Sequence, residues 1–346
     1  MFSNRRRRTS VRTVFRLREK SLFFDGPDLW IDSMRSRERC YVSHGHADHA
    51  REHQTVVATP NTAAICRARF PRRTARPGRA VRAPVTFEEH AFNEPWEESG
   101  HRLTLFSAGH VLGSAQLLVE GEAGRFVYTG DFKLAPSLTV EPPEVKRCDV
   151  VLMECTFGRP QYVFPSRDEI AGEMAVFARA ALEADCIPVF YAYSLGKAQE
   201  AIAMLGTAGV PLTVHHTVDM ISRVYRERGV ALPAYETYDE STFSGERALV
   251  WPPSGKTLPT KMGGRPLRTA MLTGWALDHS ARFRYGVERG FPLSDHADYP
   301  ALLRYIELAA PRKVLLNHGW RDFVHRLRHL GIDAEYLEDH PQLSLF

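Results

Sequence analysis

The sequence predicts an α+β fold from three features. The first half is a series of short apolar runs separated by turn residues, as strands require. Between Gly158 and about Gly290, strands alternate with amphipathic helices, the pattern of a small α/β unit with a parallel sheet. From Leu293 onward the texture returns to strand and helix.

Taken in order, "CYVS" precedes a histidine-rich segment, "LTLFSA" runs into Gly109-His110, and "GSAQLLVE" follows it. "RFVYTGD" ends in Asp131, and "DVVLMEC" carries Glu154. "SRDEIAGEMAVFARAALEA" places Ile170, Met174, Phe177 and Ala181 on one helical face. "CIPVFYAYS" reads as a buried strand and "LGKAQEAIAMLG" as the helix after it. "WPPSGKTLPTKMGGRP" is a Gly/Pro-rich loop. Pro300 opens a helix near the C-terminus, and "KVLLNHG" ends a strand in His318. No internal repeat is visible.

At 346 residues the chain can hold two modest domains, or one large domain with an insertion. No apolar stretch approaches the length that crosses a bilayer, and "NRRRRTSVRTVFRLREK" lacks the apolar core of a signal peptide. The expectation is a cytoplasmic protein without a membrane partner. Cysteines 40, 66, 148, 155 and 186 are odd in number and form no C-x-x-C pair. That argues against a disulfide framework and for a reducing compartment. The net charge of +4 is too small to name a partner, but its distribution is uneven. Arg5 to Arg8 form one block, and residues 67–82 carry seven arginines and no acid. Such a stretch suits phosphate, and equally a solvated surface loop.

Residues 41–50, "YVSHGHADHA", gather His44, His46, Asp48 and His49 directly after an apolar run. His44 and His46 are two apart, so in an extended segment they project to one side. Asp48 and His49 fall where a helix could open. His110, Asp131 and His318 also sit at or just past strand ends, where a rigid scaffold presents ligands. Imidazole and carboxylate are zinc-type ligands. Ser194, Gly196 and Lys197 lie where a buried strand meets a helix, and free amides beside a lysine favour a phosphate of nucleic acid. His215 and His216 receive no role.

H-x-H-x-D-H, "AGHVLGSAQ" and "YTGDF", in that order, resemble the metallo-β-lactamase fold. "ECTFG", "LSDHADY" and "LNHG" resemble the further motifs of its β-CASP nucleases, and "YSLGKAQEAI" resembles a helix of their inserted domain. Within that group "FDGPDLWID", "SRVYRERGVALP" and "RGFPLSDHADYPAL" are most similar to bacterial ligase-associated DNA exonucleases. The resemblance runs from about Phe24 to Gly319. It implies a four-layer αββα sandwich with an inserted α/β β-CASP domain. The implied division is a basic tail over 1–20, a first part over 21–158, an insert over 159–290 and a return over 291–346.

The resemblance further implies two divalent cations, zinc or manganese. His44, His46 and His110 would hold one, Asp48, His49 and His318 the other, and Asp131 would bridge them. Cations about 3.5–4 Å apart can share a hydroxide and clamp the attacking and leaving oxygens of a phosphodiester. Asp48, His296 and Glu154 are the implied catalytic residues, with His296 donating a proton and Glu154 orienting it. Asp32 is implied to orient a ligand from behind. The implied activity is a metal-dependent nuclease leaving 5′-phosphate and 3′-hydroxyl ends. A DNA exonuclease of repair, beside a ligase and a helicase, is the favoured form. An RNA-processing nuclease, or a thioester or lactam hydrolase of the same fold, is the alternative. A non-catalytic scaffold is disfavoured, because all seven ligand positions are filled.

Overall fold

The computed structural model describes residues 15–337, apart from 20, 71–83, 254–257, 259–260 and 263. The Arg5 to Arg8 block and most of the 67–82 arginine stretch therefore lie outside the described residues.

Strands β1 (Phe15–Arg18), β2 (Ser21–Phe24), β3 (Leu29–Ile31), β4 (Arg39–Tyr41), β5 (Thr55–Ala58) and β6 (Thr86–Glu89) form the first sheet in sequence order. Residues 15–18, expected within the tail, are thus its edge strand, paired antiparallel with β2. The second sheet has the order β20-β19-β11-β10-β9-β8-β7. Its members are β7 (Trp96–Glu98), β8 (His101–Ser107), β9 (Ala115–Gly121), β10 (Gly124–Tyr128), β11 (Val150–Cys155), β19 (Lys313–Gly319) and β20 (Ala334–Tyr336).

Period-two patterning stacks these sheets. In β5, Val57 faces the second sheet and joins Leu29, Ile31, Leu105, Leu117, Phe126 and Leu152 in one core. Its neighbours Val56 and Ala58 face the other way, with Cys66 of helix α1 (Pro60–Arg69). The outer face of the second sheet buries Phe106, Val127, Val151 and Met153. It does so under Leu302, Tyr305 and Ile306 of α6 (Tyr299–Ala309) and Phe323 and Leu327 of α7 (Asp322–His329). The layers run helix, sheet, sheet, helix, an αββα sandwich.

The third sheet has the order β14-β13-β15-β12-β17-β16 and is parallel except at β16. It comprises β12 (Ile187–Tyr191), β13 (Leu212–Val214), β14 (Glu236–Thr237), β15 (Ala248–Trp251), β16 (Lys261–Met262) and β17 (Arg265–Leu272), with β18 (Arg289–Phe291) paired to β17. Helices α2 (Arg167–Glu183), α3 (Lys197–Thr207) and α4 (His216–Glu227) connect or flank its strands, and a short α5 (Ala281–Tyr285) precedes β18. Ser166 and Glu169 close α2 with a reciprocal capping box, and Ile170, Met174, Phe177 and Ala181 are all buried as their spacing predicts. Ile65 of α1, Val111 and Leu112 pack with Leu195, Ile221 and Tyr225, joining this unit to the sandwich.

Candidate metal centre

The strand ends of the sandwich converge on one rim. His44 follows β4, His110 follows β8, Asp131 follows β10, and His318 lies near the end of β19. The segment after His46 forms one tight turn, with Ala50 N–H donating to His46 O at 2.8 Å, and no helix opens there. That turn swings His49 inward and leaves Asp48 exposed. Gly130 has φ +56°, and a Cβ there would lie 2.9 Å from the Ser43 side chain. Its bare backbone lets the Asp131 loop close against the histidine loop.

Asp131 Oδ2 lies 3.6 Å from His44 Nε2, 3.4 Å from His49 Nε2 and 3.8 Å from His110 Nε2. His110 Nε2 is also 3.0 Å from His46 Nδ1. Ligand-capable atoms of His44, His46 and His110 form one cluster, and those of His44, His49 and Asp131 a second. The expected first triplet is therefore together. Of the expected second set, His49 touches Asp131, while the His318 ring lies 5.5 Å from that of His49. Asp48 lines the same cleft, and neither it nor His318 belongs to a cluster.

The buried Nε2 atoms of His44 and His49 have no hydrogen-bond partner among the described residues. Buried polar atoms seldom stay unpaired, so imidazoles converging on one carboxylate with free nitrogens fit divalent cations. Burial and then the neighbouring imidazoles hold His44 well below the usual histidine range. Burial acts the same way on His110, so both are neutral donors. Burial opposes the charge on Asp131, yet His49 and His296 beside it hold its carboxyl well below the usual range.

Residues behind the cluster fix its rings. Asp32 Oδ2 accepts from His49 Nδ1 at 2.8 Å, from Tyr128 OH at 2.8 Å and from Ser43 Oγ at 2.6 Å. The bond to Nδ1 leaves Nε2 as the atom facing Asp131. Burial opposes a charge on this ring, but Asp131 and then Asp32 hold its pKa well above the usual histidine range, so a cation at Nε2 would displace a proton. His110 Nδ1 likewise donates to Asp295 O at 2.8 Å. Tyr128 and the Asp295 carbonyl were not singled out from sequence. Tyr128 stands in a strand three residues before Asp131, where only packing against the first sheet reveals its reach.

His296 Nδ1 bonds both Glu154 oxygens, at 2.9 and 3.0 Å. Burial would lower the His296 pKa, but Glu154 and then Asp131 push it up to about 9. Asp295 forms an ion pair with Lys197, which is buried. Gly196 N–H donates to Gln199 Oε1 at 2.8 Å, and Ser194 Oγ lies 3.2 Å from Thr217 Oγ1. The Ser194, Gly196 and Lys197 groups thus have internal partners, and Ser194 and Lys197 line the cleft. Asp298, unassigned from sequence, caps α6 by accepting from Ala301 N–H at 3.0 Å.

The cluster opens into a cleft of about 1120 Å³ between the sandwich and the third sheet. A sandwich presenting histidines and an aspartate at one rim, with an inserted parallel sheet roofing them, defines a metallo-hydrolase. Residues 33–215 match the family described as Beta-lactamase superfamily domain, and residues 282–338 that described as Zn-dependent metallo-hydrolase RNA specificity domain. The chain belongs to the metallo-β-lactamase-fold β-CASP nuclease family. It is 38% identical over 320 residues to a "Probable DNA ligase" of Opitutus terrae, covering 91% of this chain and 30% of that protein. It is 26% identical over 277 residues to the "5′ exonuclease Apollo" of Gallus gallus, covering 80% of this chain and 57% of that protein. An "RNase J-like protein" of Methanocaldococcus jannaschii is 23% identical over 269 residues, 64% of each chain. The chain thus spans 30% to 64% of the length of these relatives. No helix among the described residues is long and apolar enough to cross a membrane.

Proposed function

We propose that this chain is a metal-dependent nuclease that hydrolyses phosphodiester bonds, in the form of a DNA exonuclease of repair. The observation that carries the chemistry is the meeting of His44, His49 and His110 on Asp131, with His46 against His110, unpaired buried nitrogens on His44 and His49, and His46 and Asp131 lining a large cleft. In this reading His44, His46 and His110 hold one divalent cation, Asp48, His49 and His318 the other, and Asp131 both. Zinc suits the donor set, and manganese fits it too. Such cations, when bound, supply an ionised water at neutral pH and positive charge for the phosphate oxygens.

The chain's own residues do the rest. Asp32 keeps His49 in the tautomer that presents Nε2. Glu154 fixes the His296 ring through Nδ1, so Nε2 can hand its proton to the leaving oxygen. That transfer leaves a 3′-hydroxyl on one product and a 5′-phosphate on the other. Ser194 is the member of the 194–197 loop with a hydroxyl to offer a backbone phosphate, and Lys197 acts through Asp295.

The likeness to a DNA ligase and to a 5′ exonuclease favours DNA, and a ligase and a helicase are the partners of this reading. A second reading, RNA processing, is favoured by likeness to the RNase J-like protein and to an "RNase aCSPSF2" of Saccharolobus solfataricus. Thioester or lactam hydrolysis is disfavoured, because it leaves the Glu154–His296 pair without a task. One panel decides between them: single- and double-stranded DNA and RNA, labelled at either end, with and without 5′-phosphate, with added metal or chelator. The proposal expects metal-dependent mononucleotide release from DNA. RNA cut in preference to DNA promotes the second reading, and thioesters opened with every nucleic acid intact overturns both.

A further inference from the structure

The cleft extends past the ligand cluster to the carboxyl ends of β12, β13 and β15, a wall to which no role has been given. Carboxyl ends of parallel strands border the crevice where open α/β sheets bind ligands. Trp251 ends β15, is 7% exposed and lines the cleft. Its indole Nε1–H is buried and has no hydrogen-bond partner among the described residues. His215 meets the Trp251 ring edge to face at 4.4 Å, and Tyr238 does so at 5.2 Å.

His215 follows β13. Its Nδ1 accepts from Thr217 N–H at 3.1 Å and so caps α4. The neutral ring therefore carries its proton on Nε2, a second donor. His216 is exposed and lies against His215 with ring centroids 3.8 Å apart. Tyr193, just past β12, lines the cleft with 53% of its surface exposed.

These groups share one character. They are neutral donors and flat aromatic faces, with Met220 and Pro252 beside them. A phosphate calls for cations or clustered backbone amides. A nucleobase calls for this wall: a π face to stack on, and a donor for its ring nitrogens or carbonyl oxygens. A buried N–H without a partner also costs free energy that an incoming acceptor removes.

We propose that Trp251, His215, His216 and Tyr193 form a nucleobase subsite for one unpaired base of the strand being cut. The proposal rests on the nuclease reading and adds to it. The base offers its edge to Trp251 Nε1–H and its face to Tyr193 or His216. A base within a duplex has its Watson–Crick edge paired and both faces stacked on its neighbours, so the strand must be unpaired and unstacked at this position.

The test uses the metal-loaded full chain and a single-stranded oligonucleotide. Trp251→Phe keeps an aromatic ring and removes the N–H. It should weaken oligonucleotide binding, read by anisotropy in a His296→Ala background that slows turnover, by about tenfold. Bis(p-nitrophenyl) phosphate, a small diester without a base, reads the metal centre of the wild-type protein by itself. Scanning a single abasic residue along the oligonucleotide should find one position with a similar loss on unsubstituted Trp251. Trp251→Phe should add little to that loss. Equal binding by Trp251→Phe and its parent, or an abasic scan without a sensitive position, overturns the subsite; the scan needs no Trp251 variant and stands if that variant misfolds. Wild-type protein that cleaves the small diester but neither binds nor cuts any oligonucleotide overturns the nuclease reading, and the subsite with it.

Discussion

Asp32 holds more of the centre than its place outside the ligand cluster suggests. Its φ of +42° is the left-handed region, costly for a residue with a Cβ, and three donors on one carboxyl oxygen hold it there. Asp32→Ala should lower metal affinity about 10- to 100-fold, measured by competition with a chromophoric chelator, because His49 loses its tautomer lock. His296→Ala should retain its metals by elemental analysis and lose about 10²- to 10⁴-fold in turnover. Turnover at the wild-type rate would remove His296 as the proton donor. Asp131→Ala should lose both metals and activity, since Asp131 stands between the histidines of both clusters. At this scale the sequence showed most of the side chains that meet at the rim, because H-x-H-x-D-H is dense and strand-flanked, although Asp48 joins no cluster. It did not show Tyr128 or the Asp295 carbonyl, whose roles depend on neighbours far away in the chain.

The element that places His318 is an irregular strand pair. Glu154 pairs with Asn317 and Cys155 with Gly319, so His318 is the extra residue of a β-bulge, with φ +48°. A bulge re-aims a side chain, and this one turns His318 toward His49 while Glu154 keeps its line to His296. Gly319 follows at φ +129°, and a Cβ there would fall 2.1 Å from Cys155 O. Gly319→Ala should therefore destabilise by more than about 2 kcal/mol in urea unfolding, and should cost metal affinity as the bulge shifts. A variant as stable as wild type would show that the bulge is not fixed by that glycine. The helix ends, by contrast, are written locally. Ser166→Ala should cost about 1 kcal/mol, since it removes only a cap.

Across the whole molecule, two sheets pack face to face and a third roofs the rim, so burial spreads titratable groups through the interior. His53 is 2% exposed, and its Nδ1 accepts from Arg37 N–H at 3.1 Å. Burial lowers its pKa to about 4, against the pull of Asp32. A base with a depressed folded pKa gives its full stability above the unfolded value of about 6.5 and loses it as pH falls toward 4. Metal-free protein should then be about 2 kcal/mol less stable at pH 5 than at pH 7.5 from this group alone. His53→Gln should flatten that part of the dependence in urea titrations at the two pH values. An unchanged slope would mean that His53 does not stay neutral inside the fold.

The sequence by itself determined most of the elements, the residue types that cluster at the rim and the order in which strands deliver them. Period-two and period-3.6 patterns, caps and dense histidine motifs are local, and local chemistry enforces them. Only the tertiary structure decided that the segment after His46 is a single turn, that Lys197 is spent on Asp295, and that a bulge aims His318. It alone set Trp251, His215 and Tyr193 on one wall. Those outcomes depend on which groups are brought within a few ångströms across gaps of tens to hundreds of residues, and packing two sheets and a roof is what closes those gaps.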